Sequence, residues 1–143
     1  MNGKETVHSI ARIMKVLKRE KEVCAAYVFG SYADYIQNTS SDIDIAILLF
    51  PKTHIEDFLD FVLDLRVKIA EKEPNINFDI VVANHAPSHL LLQILRFQPF
   101  FVKDPEWEAQ FKSLHWRIGW DERYLARKYQ YGVLKDLSEG KLG

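Results

Sequence analysis

The stretch Ser41-Asp42-Ile43-Asp44-Ile45-Ala46-Ile47-Leu48-Leu49-Phe50-Pro51 decides how this chain is read. Apolar throughout after its first acids and closed by proline, it predicts a buried strand over Asp42–Phe50. Residues two apart in a strand share a face, so Asp42 and Asp44 project together while Ile43 and Ile45 pack on the opposite side. Upstream, Val23–Phe29 is a second short apolar run that stops at Gly30-Ser31, a strand entering a tight turn. Downstream, Phe78–Ala83 predicts a third buried strand, with Asp79 set between Phe78 and Ile80.

Helical patterns fill the intervals. Val7, Ile10, Ala11, Met14, Val16 and Leu17 predict an amphipathic helix over Thr6–Glu22. His54–Lys72 predicts another, with Phe58, Leu59, Val62, Leu65 and Ile69 facing in and Pro74-Asn75 ending it. Pro87-Ser88 starts a short helix reaching Arg96, and Phe100–Val102 reads as an edge strand. Asp104-Pro105 is a cap followed by proline at the first helical position, and the remainder reads as helical with a break near Gly119. The order α-β-β-α-β-α-β-α predicts an α/β (α+β) fold: a small mixed sheet flanked by helices. Residues 1–104 form the core, and 105–143 are a helical extension packed on the same domain.

Composition narrows the class. With 143 residues, 48% of them hydrophobic, the chain suits one globular domain. No apolar run approaches the ~20 residues of a membrane span, and no secretory h-region follows Met1. The lone Cys24 has no internal partner and sits among apolar residues, so a reducing, cytoplasmic setting is expected. Net charge is -1, which argues against nucleic acid as a direct partner. Its distribution is uneven: residues 24–111 hold six Lys/Arg against thirteen Asp/Glu, while both ends are basic. That acidity is either a solvated surface or the mark of acids gathered around a divalent cation.

Position favours the cation. A carboxylate in an apolar strand is costly unless paired or bound to metal, and neither acidic strand contains a basic residue. Asp42, Asp44 and Asp79 together suit one or two Mg²⁺ ions, which take oxygen ligands and substrate phosphates. Gly30 permits close backbone approach to a ligand, and Ser31 adds a hydroxyl and neighbouring N–H groups for phosphate oxygens.

Gly30-Ser31, ten residues, then Asp42-Ile43-Asp44 resembles the G-S-x10-D-x-D signature of the DNA polymerase β-like nucleotidyltransferase superfamily. Asp79, in Asn77-Phe78-Asp79-Ile80-Val81-Val82, matches that family's third acid, and Ala83–Val102 resembles the segment that follows it in minimal members. The resemblance spans about residues 7–104. It implies the polymerase β-like fold, Asp42, Asp44 and Asp79 as catalytic metal ligands for Mg²⁺ (or Mn²⁺), and Gly30 and Ser31 as triphosphate-binding residues. It implies in-line attack by an acceptor hydroxyl on the α-phosphate of an NTP, with release of pyrophosphate. Many minimal members carry Arg after Gly-Ser; here Tyr32-Ala33-Asp34 follows. Lys52, Arg66 and Arg96 are candidates for the missing cation, and each also reads as surface solubility.

The chain is too short for the acceptor-binding domain of larger nucleotidyltransferases. In length and composition it resembles the MntA-type antitoxins of HEPN–MNT toxin–antitoxin pairs. That resemblance implies ATP as substrate and a tyrosine of a HepT-type HEPN ribonuclease as acceptor. Transfer to a small molecule such as an aminoglycoside, and non-catalytic occlusion of a partner, stand as alternatives. His85 and His89 lie four apart, but Pro87 between them breaks the helical pairing a metal needs; His85 is still expected near the cleft. Trp116, Trp120 and Tyr124 recur every four residues, with Trp107, Phe111, Tyr129 and Tyr131 nearby, an aromatic stripe that reads as core or as a partner-binding helix.

Overall fold

A computed structural model describes residues 3–29, 43–53 and 55–115 of the chain. Helix α1 (Gly3–Lys18) leads into strand β1 (Val23–Phe29), then β2 (Ile43–Leu49), helix α2 (Phe58–Lys72), strand β3 (Phe78–Val82), a 3-10 turn (Ala83–His85), helix α3 (Ser88–Leu95) and strand β4 (Phe101–Val102). A further helix, α4, covers residues 105–115. The four strands form one mixed sheet in the order β3-β2-β1-β4. β1 pairs antiparallel with both β2 and β4, whereas β2 and β3 run parallel and need the α2 crossover between them. The expected α/β fold and all four strands are present.

Each face of the sheet buries one cluster. Ile43, Ile45, Ile47 and Leu49 point toward α1 and α2, where they meet Ile13, Leu17, Leu65 and Ile69. Ala46 and Leu48 point the other way, onto Leu91, Ile94, Leu95 and Phe111. In β1 the alternation breaks: Val23 and Ala26 share a face although they are three apart, because a register shift separates Val23 from Ala25.

The helices differ from expectation at their ends and faces. α1 stops at Lys18 rather than Glu22, because Arg19 and Glu20 close it with i→i−3 bonds that turn the chain into β1. Its buried row is Ile10, Ile13, Met14 and Leu17, while Val7 and Ala11 are exposed. α2 starts four residues late because Asp57 caps it, accepting from the N–H groups of Leu59 (2.9 Å) and Asp60 (3.2 Å). Leu59 is 66% exposed, an inward expectation overturned, and Leu63 and Val67 accompany it on the solvent side. At α4 the expected cap is present: Asp104 Oδ1 accepts from Glu106 and Trp107 N–H at 3.1 and 3.2 Å. No helix of the described residues is long and apolar enough to cross a membrane.

Candidate active site

Strand register assembles the acids. Asp44 is paired with Phe29 on one side, in β1, and with Asp79 on the other, in β3. Neighbouring strands lie about 4.8 Å apart and paired residues share a face, so the Asp44 and Asp79 carboxylates emerge side by side. Both belong to the sheet face of Ala46, Leu48 and Val81, while Ile43 and Ile45 are buried opposite, as expected. Phe29 directly precedes Gly30, so the ladder brings the start of the Gly-Ser segment to the same end of the sheet. Gly30, Ser31 and Asp42 themselves lie outside the described residues. Among the described residues no group of three potential metal ligands converges.

Asp79 corrects the expectation of a third buried strand. Among the described residues β3 is the sheet edge, and the Asp79 side chain is 55% exposed. Burial therefore does not by itself demand a counter-charge there. A cation is nevertheless present, from a helix rather than a strand. Arg66 of α2 reaches around the edge, donating Nη2 to Asp79 Oδ1 at 2.8 Å and Nη1 to the Phe78 carbonyl at 3.4 Å. Its guanidinium carbon lies 5.8 Å from the Phe78 ring centre. An exposed ion pair of this kind stabilises the fold by at most about 1 kcal/mol, but two donors on adjacent acceptors orient the carboxylate. The sequence offered one faint signal for this role: the crossover helix must end where β3 begins, which puts its last turns beside Asp79.

The other candidates fall elsewhere. Lys52 follows the far end of β2, and Arg96 stacks on Phe97 at 5.2 Å. His85 lies beyond the opposite end of β3 from Asp79, edge-on to Phe58 at 4.4 Å, so its expected place near the cleft is overturned. Trp107 and Phe111 pack on the sheet, with Trp107 Nε1 donating to the Leu49 carbonyl at 3.0 Å; Trp116, Trp120, Tyr124, Tyr129 and Tyr131 lie outside the described residues. Cys24 is fully buried, and burial raises its thiol pKa, which suppresses the reactive thiolate.

The fold has counterparts among known proteins. The profile of the polymerase beta nucleotidyltransferase family matches residues 11–106, two-thirds of the chain, from the second half of α1 through β4. The chain belongs to that family. No match is found among curated proteins. Among solved structures, this nucleotidyltransferase is similar to a chain of a toxin–antitoxin complex crystallised with AMP-PNP (TM-score 0.59, 20% identity, covering 92% of this chain and 97% of that one). It is similar to a chain of the MntA–HepT toxin–antitoxin (TM-score 0.57, 19% identity, 91% and 97% covered). A third is a tri-AMPylated Shewanella oneidensis HEPN toxin in complex with its MNT antitoxin (TM-score 0.57, 20% identity, 91% and 96% covered). At these identities the likeness is one of fold, over nearly the full length of both chains.

Proposed function

We propose that this nucleotidyltransferase transfers AMP from ATP to a tyrosine hydroxyl of a HEPN-type toxin ribonuclease and so acts as its antitoxin. The observation that carries the reading is the register placing Asp44 between Phe29, which leads into Gly30-Ser31, and Asp79. The similar structures support the acceptor, because one of them holds an AMPylated HEPN toxin. A reducing cytoplasmic setting belongs to the same reading, with Cys24 a free buried thiol.

The donor set suits a hard divalent cation: two adjacent carboxylates that repel each other by something on the order of 1 kcal/mol at surface screening, and only oxygen ligands. Asp42, Asp44 and Asp79 would hold Mg²⁺, which when bound neutralises phosphate charge around the reacting phosphorus. The chain's own residues do the rest. Gly30 and Ser31 offer backbone N–H groups and a hydroxyl to the triphosphate. Asp79 accepts the proton of the attacking hydroxyl, and Arg66 holds that carboxylate in place as a positioning residue. The hydroxyl oxygen bonds to the α-phosphorus as the bond to the bridging oxygen breaks, and pyrophosphate leaves with that electron pair. Positioning supplies most of the acceleration.

The test mixes this chain, ATP and Mg²⁺ with a co-encoded HEPN protein and follows intact mass and ribonuclease activity. The expected result is mass gained in steps of one AMP on tyrosine, with loss of ribonuclease activity. The Asp42→Asn/Asp44→Asn variant should still bind the partner and leave its mass unchanged. Equal inhibition by that variant would establish occlusion instead, and AMP transfer to an aminoglycoside but not to the protein would establish the small-molecule reading.

A further inference from the structure

A basic cavity of about 200 Å³ lies between α1 and α2, lined by Arg12, Lys15, Val16, Arg19 and Lys72. Arg12 and Lys15 stand at i and i+3 on one face of α1, Arg19 follows in the turn that closes that helix, and Lys72 comes from the last turn of α2. This is the helix layer opposite the sheet face that carries Asp44 and Asp79.

The four cations are not balanced locally. Arg12 donates Nε to the buried Glu73 carboxylate and Nη2 to Ser9 Oγ at 3.3 Å, which fixes its guanidinium and leaves further N–H donors unspent. Among the described residues Lys15, Arg19 and Lys72 make no ion pair. Their neighbour Lys68 shows the contrast: it pairs with Glu20 at 2.8 Å and Asp64 at 3.2 Å. Helix dipoles favour cations in the last turn, which accounts for Lys15 and Lys72 singly. It does not account for four cations lining one concavity, of which only Arg12 is paired with a carboxylate among the described residues.

We propose that this cavity binds phosphate groups. Its volume falls below the ~300–1,000 Å³ of sites that enclose a small molecule, so it accepts one or two phosphates rather than a nucleoside. A fixed guanidinium flanked by ammonium and guanidinium groups that make no ion pair among the described residues matches the oxygens of a phosphate. No aromatic side chain lines it, so recognition ends at the charge and includes no base stacking. The phosphates come either from free pyrophosphate or from the backbone of a nucleic acid. The site stands independently of the activity proposed above.

Two probes separate those sources, both in EDTA: pyrophosphate by calorimetry, and a labelled oligouridylate of about twelve nucleotides by anisotropy across a salt series. The test variant Lys15→Ala/Arg19→Ala/Lys72→Ala keeps the Arg12–Glu73 pair, and thermal unfolding verifies its fold. Wild type should bind at least one probe, and the variant should bind it at least about tenfold more weakly. If the oligonucleotide binds, its log–log salt slope should fall by about 2 in the variant, roughly 0.7 for each of three contacts. Pyrophosphate binding alone assigns a free phosphate. The proposal is overturned if neither probe binds, if the triple variant binds as wild type, or if polyglutamate displaces the probe as well as polyuridylate does.

Discussion

The two ends of β2 are built on opposite principles. At Leu49 every backbone polar group is answered by the protein itself. Its N–H donates to Asn84 Oδ1 at 2.8 Å, and its carbonyl accepts from Asn84 Nδ2 at 3.1 Å and Trp107 Nε1 at 3.0 Å. At Asp44, seated against Asp79, like charges are brought together at the sheet's opening. One end is arranged for stability alone. The other gathers two carboxylates, one of them paired with Arg66, an arrangement that the stability of the fold alone does not call for. Substitutions at the two ends should therefore separate activity from stability.

The largest effect should come from the open end. Asp79→Asn is expected to lower nucleotidyl transfer by about a thousandfold, roughly 4 kcal/mol of barrier. Stability should move by no more than about 1 kcal/mol, because the ion pair lost with Arg66 is exposed. Steady-state transfer rates beside urea titrations check both; near wild-type transfer would remove Asp79 from the site. At the sealed end Asn84→Ala should do the reverse, costing about 1–3 kcal/mol by leaving the Leu49 N–H without its acceptor. Transfer per folded molecule should be unchanged.

The smallest effect separates the sheet's middle from both ends. Tyr27 is fully buried and donates to Glu108 Oε1 at 2.9 Å; burial first, then that hydrogen bond, raises its pKa. The unfolded chain releases the phenolic proton near pH 10, before the folded one does. The stability from this group is complete below about pH 10 and falls by up to about 1.4 kcal/mol per pH unit above it. Lys103, whose pKa burial lowers, acts in the opposite direction in both proteins, so the comparison isolates the tyrosine. Urea midpoints between pH 8 and 11 should fall less steeply in Tyr27→Phe than in wild type.

Strands were legible in this sequence because each is an apolar run between polar breaks, and β1 is as buried along its whole length as its composition implied. The place of β3 in the sheet was not legible. Phe78–Val82 is as apolar as a central strand, and only the pairing order shows that one side is open, which is why Asp79 is exposed rather than buried. Helix faces were misjudged where apolar residues outnumber core positions: Leu59 and Val7 satisfy helical spacing yet face solvent. The sequence set Asp44 and Asp79 at the starts of two apolar strands, and the strand order and register are what pair them. Arg66 is legible as a candidate phosphate contact, but its pairing with Asp79 depends on how α2 lies across the sheet edge, which residue spacing hints at only faintly.

That same arginine bears on a hazard unrelated to catalysis. An open parallel edge presents unpaired carbonyl and N–H groups on which a second polypeptide can add a strand. Among the described residues the sheet has two edges, β3 and β4, and β4 protects one by being only two residues long. β3 has five residues and an apolar sequence, the kind of edge that seeds edge-to-edge aggregation. Arg66 occupies the Phe78 carbonyl and sets a charge pair across the strand's entrance, so an incoming strand would have to displace a guanidinium before its first hydrogen bond could form. The contact that orients a carboxylate thereby also acts as a gatekeeper, keeping the chain from associating through its own sheet.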